Sequence, residues 1–365
     1  MSAALRHAAD RATHEPGFLA NDLHRLASFE GIDRESLSEQ LLFDVGRYDE
    51  LALCRTPRRD AHFHADVDAI AGLVGADLWR LGNLVRLVDG LGALSTAKPS
   101  TVAPVLAAAR QEEEPVARPE TRGRGLQPKW LLDAVRLIWG STDDASEQFP
   151  RNIELALLWR LPLAIIELPN LSGTGVVDWL AARGIQLPVH TPPGGLRGAL
   201  VAYAGSGVLF VDATDDPTER RVTLAHEAAH FVVDYWLPRL ELAERAPHLL
   251  TVIDGIQQPS DDDHIDALLA RTPLGVQTHL FERDASGAIL TPQIKRLEQR
   301  AAQITWEILA PEAVIARHVS ELDPFALVRD LEVDFGLPRA TAREYAHHLR
   351  RSLQPRKGHR RFDWD

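Results

Sequence analysis

Two histidines and a glutamate near the middle of the chain have the spacing of a hydrolytic metal site. His226 and His230 lie four residues apart, so a helix places both imidazoles on one face, where they can bind one metal ion. Glu227 lies beside that face and can take a proton from a water molecule on the metal. The flanking residues are uncharged, which favours a dry site in which each charge has a large effect. The pattern predicts metal-assisted peptide hydrolysis with Glu227 as general base.

The residues before this motif predict the elements that position it. Asp216 can cap a helix, Pro217 suits its first position, and Glu219 can close a capping box. Further upstream, GALVAYAG and GVLFVDA have strand-like patterns and are separated by Ser206-Gly207. We therefore expect a β-hairpin followed by the helix that carries the motif.

A catalytic zinc ion usually has three protein ligands, so a third residue is required. A second helix is predicted from Thr291-Pro292 to Pro311, and Glu298 falls at the margin of its apolar stripe, where a carboxylate needs a cation to face. A solvated carboxylate is the alternative interpretation of Glu298, and Asp254 and His264 are the next residues to consider as ligands.

These residues resemble the ImmA/IrrE family of metallo-endopeptidases. The family pattern is a short hairpin, a helix reading R-x-T-L-A-H-E-x-x-H, and a helix reading E-x-x-A-N-x-x-A-x-x-L-L-x-P. The matching stretches, within about residues 129–350, are GALVAYAGSGVLFVDATDDPTERRVTLAHEAAH and EQRAAQITWEILAP. The resemblance implies a zincin domain with Zn²⁺ held by His226, His230 and Glu298, and with Glu227 as the catalytic base. Ala302 stands where the family usually has asparagine.

The resemblance also implies a function. A zinc metallo-endopeptidase of this family would cleave a protein substrate, a DNA-binding helix-turn-helix repressor, and so derepress stress or mobile-element genes. Two other functions stay open: a non-catalytic DNA- or protein-binding module, and a toxin–antitoxin component, each on a zincin scaffold. The residues considered for oxyanion stabilisation are Tyr203, Tyr235, His264 and His279.

The predicted fold class is α+β: a mostly helical zincin-like peptidase domain with a small antiparallel sheet, preceded by a small all-α N-terminal domain. The predicted boundaries are a helical domain at 1–94, a flexible linker at 95–128, the peptidase domain at 129–354 and a basic tail at 355–365. The peptidase domain is expected to contain a helical lid insertion at about 231–297 and closing helix-turn-helix-like helices.

Direct contact with DNA has weak support. The segment Val67–Leu87 has helix-turn-helix spacing, but its acidic neighbourhood would repel phosphates, which favours a helical bundle for protein contacts. The basic tail could touch DNA, although a solvated tail is the preferred interpretation. The acidic run 261–263, by contrast, would favour a basic substrate.

Composition limits the remaining function classes. The net charge of −12 argues against a general nucleic-acid binder, and the single cysteine, Cys54, cannot form an internal disulfide. No apolar run approaches the roughly 20 residues that span a bilayer, and the N-terminus lacks the apolar core of a signal peptide. We expect a cytoplasmic protein without a membrane partner; the oligomeric state is left open.

Overall fold

The structure is a computed structural model that describes residues 3–97, 127–140, 148–187, 194–254, 257, 260, 277–282, 292–318 and 323–353. Within these ranges the chain is mostly helical around one four-stranded sheet, which confirms the α+β fold class. Most of the predicted linker, the acidic run 261–263 and the basic tail 355–365 lie outside the described residues.

The helices before the sheet are α1 (Ala3–Ala12), α2 (Leu19–Glu30), α3 (Arg34–Gln40), α4 (Tyr48–Ala52), α5 (Phe63–Val74), α6 (Leu78–Thr96), α7 (Lys129–Trp139) and α8 (Ile153–Arg160). The sheet elements and their connection are β1 (Leu163–Leu168), α9 (Gly173–Ala181), β2 (Leu196–Tyr203), β3 (Ser206–Asp212) and β4 (Gln277–Glu282). The remaining helices are α10 (Pro217–His230), α11 (Leu237–Arg245), α12 (His248–Ile253), α13 (Pro292–Leu309), α14 (Glu312–His318), α15 (Pro324–Val333) and α16 (Arg339–Leu353), with a π-helical segment Phe231–Trp236 after α10.

The sheet has the order β1-β3-β2-β4 and is mixed, whereas the sequence predicted an antiparallel sheet. β2 pairs antiparallel with β3 and with β4, but β1 runs parallel to β3. The difference arises because the connection through α9 enters β2 at the same end of the sheet at which β1 ends, so β2 runs opposite to β1. β3 reverses direction again after the hairpin and therefore points the same way as β1.

The predicted hairpin is present between β2 and β3, but its turn lies two residues earlier than expected. Ala204 and Gly205 both have positive φ angles, 46° and 82°, as the two central residues of a type I′ turn require. Ser206 instead pairs with Tyr203, and Gly207 is part of β3. A right-handed strand twist favours this turn, which the alternation of apolar residues could not locate.

The two faces of the sheet pack against different helices. Alternate strand residues point to opposite sides, so Leu200 and Leu209 share a core with α7, α8, α10 and α13. Val201, Val208 and Phe210 share a core with helices α1 to α6 and with α9. The two inner strands of the described sheet, β2 and β3, are therefore buried on both faces.

Helix α6 lies directly on the sheet. The Asn83 side chain donates to the carbonyl of Ile165 and accepts from its N–H, both at 2.8 Å, and so closes the outer edge of β1. Gly90 lets the helix approach β3 closely, because a Cβ there would lie 2.9 Å from Val208. The second helix of the Val67–Leu87 segment thus packs on the sheet, and the core on this face includes side chains from residues 1–94.

The predicted lid at 231–297 is only partly helical. Its described parts include α11 and α12, but Gln277–Glu282 is a strand, β4, that extends the sheet beside β2. The closing helices α15 and α16 are joined through Gly336 at φ 63°, as the turn requires. None of the helices within the described ranges has the length and apolar character needed to cross a membrane.

Candidate metal centre

Helix α10 begins as its sequence predicts and carries the motif into the protein interior. The Asp216 carboxylate accepts from the N–H groups of Thr218 and Glu219 at 2.8 and 3.1 Å, and Pro217 opens the helix. The Glu219 carboxylate accepts from Arg197 at 2.6 Å instead of closing the predicted capping box. The cap fixes where the helix starts and hence which face meets the sheet.

His226, Glu227 and His230 all lie on the buried side of α10, with exposed fractions of 6%, 0% and 3%. Close approach of the helix to β2 depends on Gly198, because a Cβ there would lie 2.6 Å from Thr223 and 2.9 Å from Cγ of Glu227. β2 therefore contacts α10 closely at the motif itself.

Glu298 on α13 reaches both histidines of the motif. Its Oε2 lies 3.2 Å from Nε2 of His226, and its Oε1 lies 3.5 Å from Nε2 of His230. The side chain of Glu298 is 30% exposed, so the cluster opens towards solvent on this side. The structure thus brings together the three residues that the sequence proposed as ligands.

A fourth side chain, His279 on β4, completes the cluster. Its Nε2 lies 3.0 Å from Oε1 of Glu298, and its Nδ1 lies 2.8 Å from Oε2 of Glu227. Its ring stacks on that of His230 at a centroid distance of 3.6 Å. The sequence offered His279 only for oxyanion stabilisation, among several residues, and did not consider it as a ligand.

Asp234 orients one of the imidazoles from the π-helical segment. Its Oδ2 lies 2.8 Å from Nδ1 of His230, which donates to it, so in the neutral imidazole Nε2 faces the cluster with its lone pair. Metal-binding histidines are held by a carboxylate in this way, which fixes the ring and raises its basicity. Asp234 lies four residues after His230, so the two side chains are about one helical turn apart.

Burial and the neighbouring charges shift the pKa values of the cluster. Burial lowers the pKa of His226. Burial also opposes a charge on His279, but the carboxylates of Glu227 and Glu298 outweigh it and raise the pKa of His279 to about 10. Burial favours the neutral form of Glu298, yet hydrogen bonds from three histidines hold its pKa well below the usual range. The ionised form of Glu298 and the cationic form of His279 therefore stabilise each other in this structure.

The four side chains fit a metal ion. His226, His230, His279 and Glu298 each offer one ligand atom, and these atoms all lie within 4.8 Å of one another. Nε2 of His230 and Oε1 of Glu227 are buried without a hydrogen-bond partner among the described residues. An unsatisfied buried polar atom costs about 1–3 kcal/mol, which an ion bound to Nε2 of His230 would offset. The cluster could therefore hold a metal ion.

The other residues considered from sequence have different environments. The Tyr235 hydroxyl accepts from the N–H of Gly205 at 2.6 Å and supports the hairpin turn. Tyr203 lies in the core on the opposite face of the sheet. Asp254 forms an ion pair with Arg239, and His264 lies outside the described residues. His279 is thus the one described member of the four oxyanion candidates that lies within the cluster.

The sequence carries little signal for His279. QTHLFE includes the strand-favouring residues Thr278 and Phe281, but its polar and apolar residues do not alternate. The register with β2 pairs His279 with Leu200, and this pairing between residues distant in sequence places the imidazole on the α10 face.

Comparisons of the chain with protein-family models, curated proteins and solved structures give no match.

Proposed function

We propose that this chain is a zinc-dependent metallo-endopeptidase. The observation that carries the proposal is the position of Glu298, whose carboxylate lies 3.2 Å from Nε2 of His226 and 3.5 Å from Nε2 of His230. Two histidines one helical turn apart and a carboxylate from another helix form the ligand set of many catalytic zinc sites. Without Glu298 the spacing of His226 and His230 would be a sequence match alone.

The chemistry of the donor atoms favours zinc over magnesium and calcium. Imidazole nitrogens with a carboxylate oxygen suit zinc, whereas magnesium and calcium prefer all-oxygen sites. Asp234 holds His230 with its Nε2 towards the cluster, and the burial of α10 keeps bulk water away. These features support zinc as the ion in the proposed function.

The residues of the chain then have separate roles. When bound, zinc would supply a Lewis acid that polarises the scissile carbonyl and acidifies water. His226, His230 and Glu298 would hold it. Glu227 would accept the proton of the attacking water at a carboxylate oxygen and pass it to the leaving amine. Its Oε1 is buried without a hydrogen-bond partner among the described residues, and its Oε2 contacts His279.

The substrate class in the proposal comes from the resemblance to ImmA/IrrE peptidases. We infer a DNA-binding helix-turn-helix repressor, cut to derepress stress or mobile-element genes, and hence an activity in the cytoplasm. The net charge of the chain is −12, which would assist the approach of a basic DNA-binding protein. The proposed partner is thus a protein, and the proposal includes no DNA contact of the chain itself.

The proposal is tested with the zinc-loaded full-length chain and a purified helix-turn-helix repressor encoded beside its gene. Cleavage, followed by mass spectrometry, should fall about 10²–10⁴-fold in Glu227→Gln, which keeps the shape and removes the base. Glu241→Gln, an exposed position on α11, is the matched control and should cleave normally. Equal cleavage rates in Glu227→Gln and the wild type would show that Glu227 is not the general base.

One observation favours a second function, a non-catalytic module in which the zincin scaffold only binds a partner. The Glu227 carboxylate contacts His279, and the cluster offers four potential ligands where a catalytic zinc site usually has three. A zinc site with four protein ligands is typically structural. Repressor binding without cleavage by either the wild type or Glu227→Gln would support this alternative.

A further inference from the structure

His279 and His230 have the same hydrogen-bonding arrangement around the cluster. In His230, Nδ1 lies 2.8 Å from a carboxylate oxygen of Asp234, and Nε2 faces Glu298 at 3.5 Å. In His279, Nδ1 lies 2.8 Å from a carboxylate oxygen of Glu227, and Nε2 faces the same oxygen of Glu298 at 3.0 Å. Each imidazole is thus held by a carboxylate at one nitrogen and presents the other nitrogen to the same point.

This arrangement is the one by which proteins hold metal-binding histidines. The carboxylate fixes the tautomer and directs the lone pair of the other nitrogen at the ion. The backbone also holds His279 in place, because β4 pairs with β2 along its length and sets His279 opposite Leu200. The side chain of His279 is 20% exposed, so it lies between the buried motif and solvent.

We propose that His279 is a fourth protein ligand of the metal and that Glu227, while it supports His279, is held away from catalysis. The inference rests on the proposed function for the identity of the ion as zinc. It goes beyond that function, because a site with four protein ligands has no position for substrate or water. The folded chain is then a latent peptidase.

Activation follows from the same contacts. When the His279 imidazole leaves the ion, one coordination position opens and the Oε2 of Glu227 loses its partner. One displacement therefore prepares both the site for the substrate carbonyl and the general base. Among the described strands, β4 pairs only with β2 and lies at the edge of the sheet. A partner or substrate that displaces β4 would therefore withdraw His279 from the ion.

Two other roles for His279 use the same contacts and give different results. As a cation, His279 could bridge the carboxylates of Glu227 and Glu298 without touching the ion. As a catalytic residue, it could donate a hydrogen bond to the oxyanion of the substrate. If His279 only bridges the carboxylates, the ion has two imidazole ligands and not three. If His279 stabilises the oxyanion, His279→Ala cleaves the substrate more slowly than the wild type.

The first measurement is the X-ray absorption spectrum of the zinc-loaded full-length protein, in which imidazole ligands are counted by their multiple scattering. We expect three imidazoles per zinc in the wild type and in His248→Ala, an exposed position on α12. His279→Ala should retain two and bind zinc at least about tenfold more weakly in competition with a chelator, since even loss of a supporting residue has an effect of that size. Two imidazoles in the wild type would overturn the proposal, whatever the variant does.

The second measurement is cleavage of the repressor by zinc-saturated His279→Ala, with circular dichroism to verify its fold. The latent state predicts faster cleavage than by the wild type. An equal rate in the folded variant would overturn latency, and slower cleavage would in addition assign His279 to the reaction. Three imidazoles together with no cleavage by any variant would leave His279 as a ligand and contradict the proposed peptidase function instead.

Discussion

The face of the sheet that meets α6 is covered by apolar side chains, whereas the face that meets α10 borders a buried cluster of histidines and glutamates. Phe210 on the first face packs edge-on against Trp179, and Val208 lies against α6. On the second face, His226 and Glu227 are also buried. This face combines an apolar core with the polar cluster, which opens towards solvent at Glu298.

The difference shows how a polar site can be held without loss of the fold. Apolar burial contributes stability by itself, at about 25 cal/mol per Å² of surface. Burial of a charged group costs free energy unless it has partners, and at the second face those partners are other titratable groups and, in the proposed function, zinc. The apolar face can therefore stabilise the sheet while the polar face is arranged for chemistry.

The largest effect is expected from removal of residues 1–94, which takes away the cover of the apolar face. The sheet would expose the side chains of Val201, Val208 and Phe210, and β1 would lose the Asn83 side chain along its edge. We expect the remaining chain to show no cooperative thermal transition in calorimetry and to bind no zinc. Leu73→Ala, at an exposed position of α5, is the control and should melt as the wild type does. A truncated chain that melts cooperatively and binds zinc would restore the separate domains predicted from sequence.

The next effect tests the close contact of the polar face with α10. In Gly198→Ala, the new Cβ would lie 2.6 Å from Thr223 and 2.9 Å from Glu227, and overpacking of this kind costs about 1–3 kcal/mol. We expect a lower free energy of unfolding in urea and weaker zinc binding. Gly72→Ala is the control, because a Cβ there meets no atom within 4 Å and alanine is favoured in a helix by about 0.5–1 kcal/mol. Unchanged zinc affinity in Gly198→Ala would show that the sheet does not position the motif.

A smaller effect is expected from the support of His230. Asp234→Ala removes the carboxylate 2.8 Å from Nδ1 of His230, and such changes typically weaken metal binding by about 10–100-fold. Competition with a chelator measures the change, and melting of the metal-free protein should differ little from the wild type. Glu241→Ala, an exposed acidic position nearby, provides the control. Equal affinities would mean that the fold alone orients the ring.

The smallest effect is expected at Glu307, a buried carboxylate outside the metal cluster. Glu307, on the same helix as Glu298, is buried, and burial raises its pKa despite hydrogen bonds from the N–H of Glu312 and the side chain of Gln127. A raised pKa in the folded state means that stability is fully present below the unfolded pKa and is lost as the pH rises through the folded one. Glu307→Gln should therefore melt at a higher temperature than the wild type at pH 8, with a smaller difference at pH 4. An equal difference at both pH values would show that ionisation of Glu307 has no part in it.

Much of the candidate site was predictable from sequence because its signals are local. The spacing of His226 and His230 places them on one helix face whatever the rest of the chain does. The cap at Asp216 and the first-turn Pro217 fix the start of that helix, as the structure shows. Glu298 needed the resemblance as well as its apolar stripe, since a carboxylate at the edge of a stripe is usually solvated.

The sequence by itself therefore determined the motif, its helix, the preceding hairpin and the α+β class. The tertiary structure decided three further features: the parallel pairing of β1, the burial of α6 on the sheet and the arrival of His279 at the cluster. Each depends on which segments distant in sequence pack together. Short amphipathic or alternating segments can satisfy their own periodicity against many partners, and the burial of the whole core selects one of them.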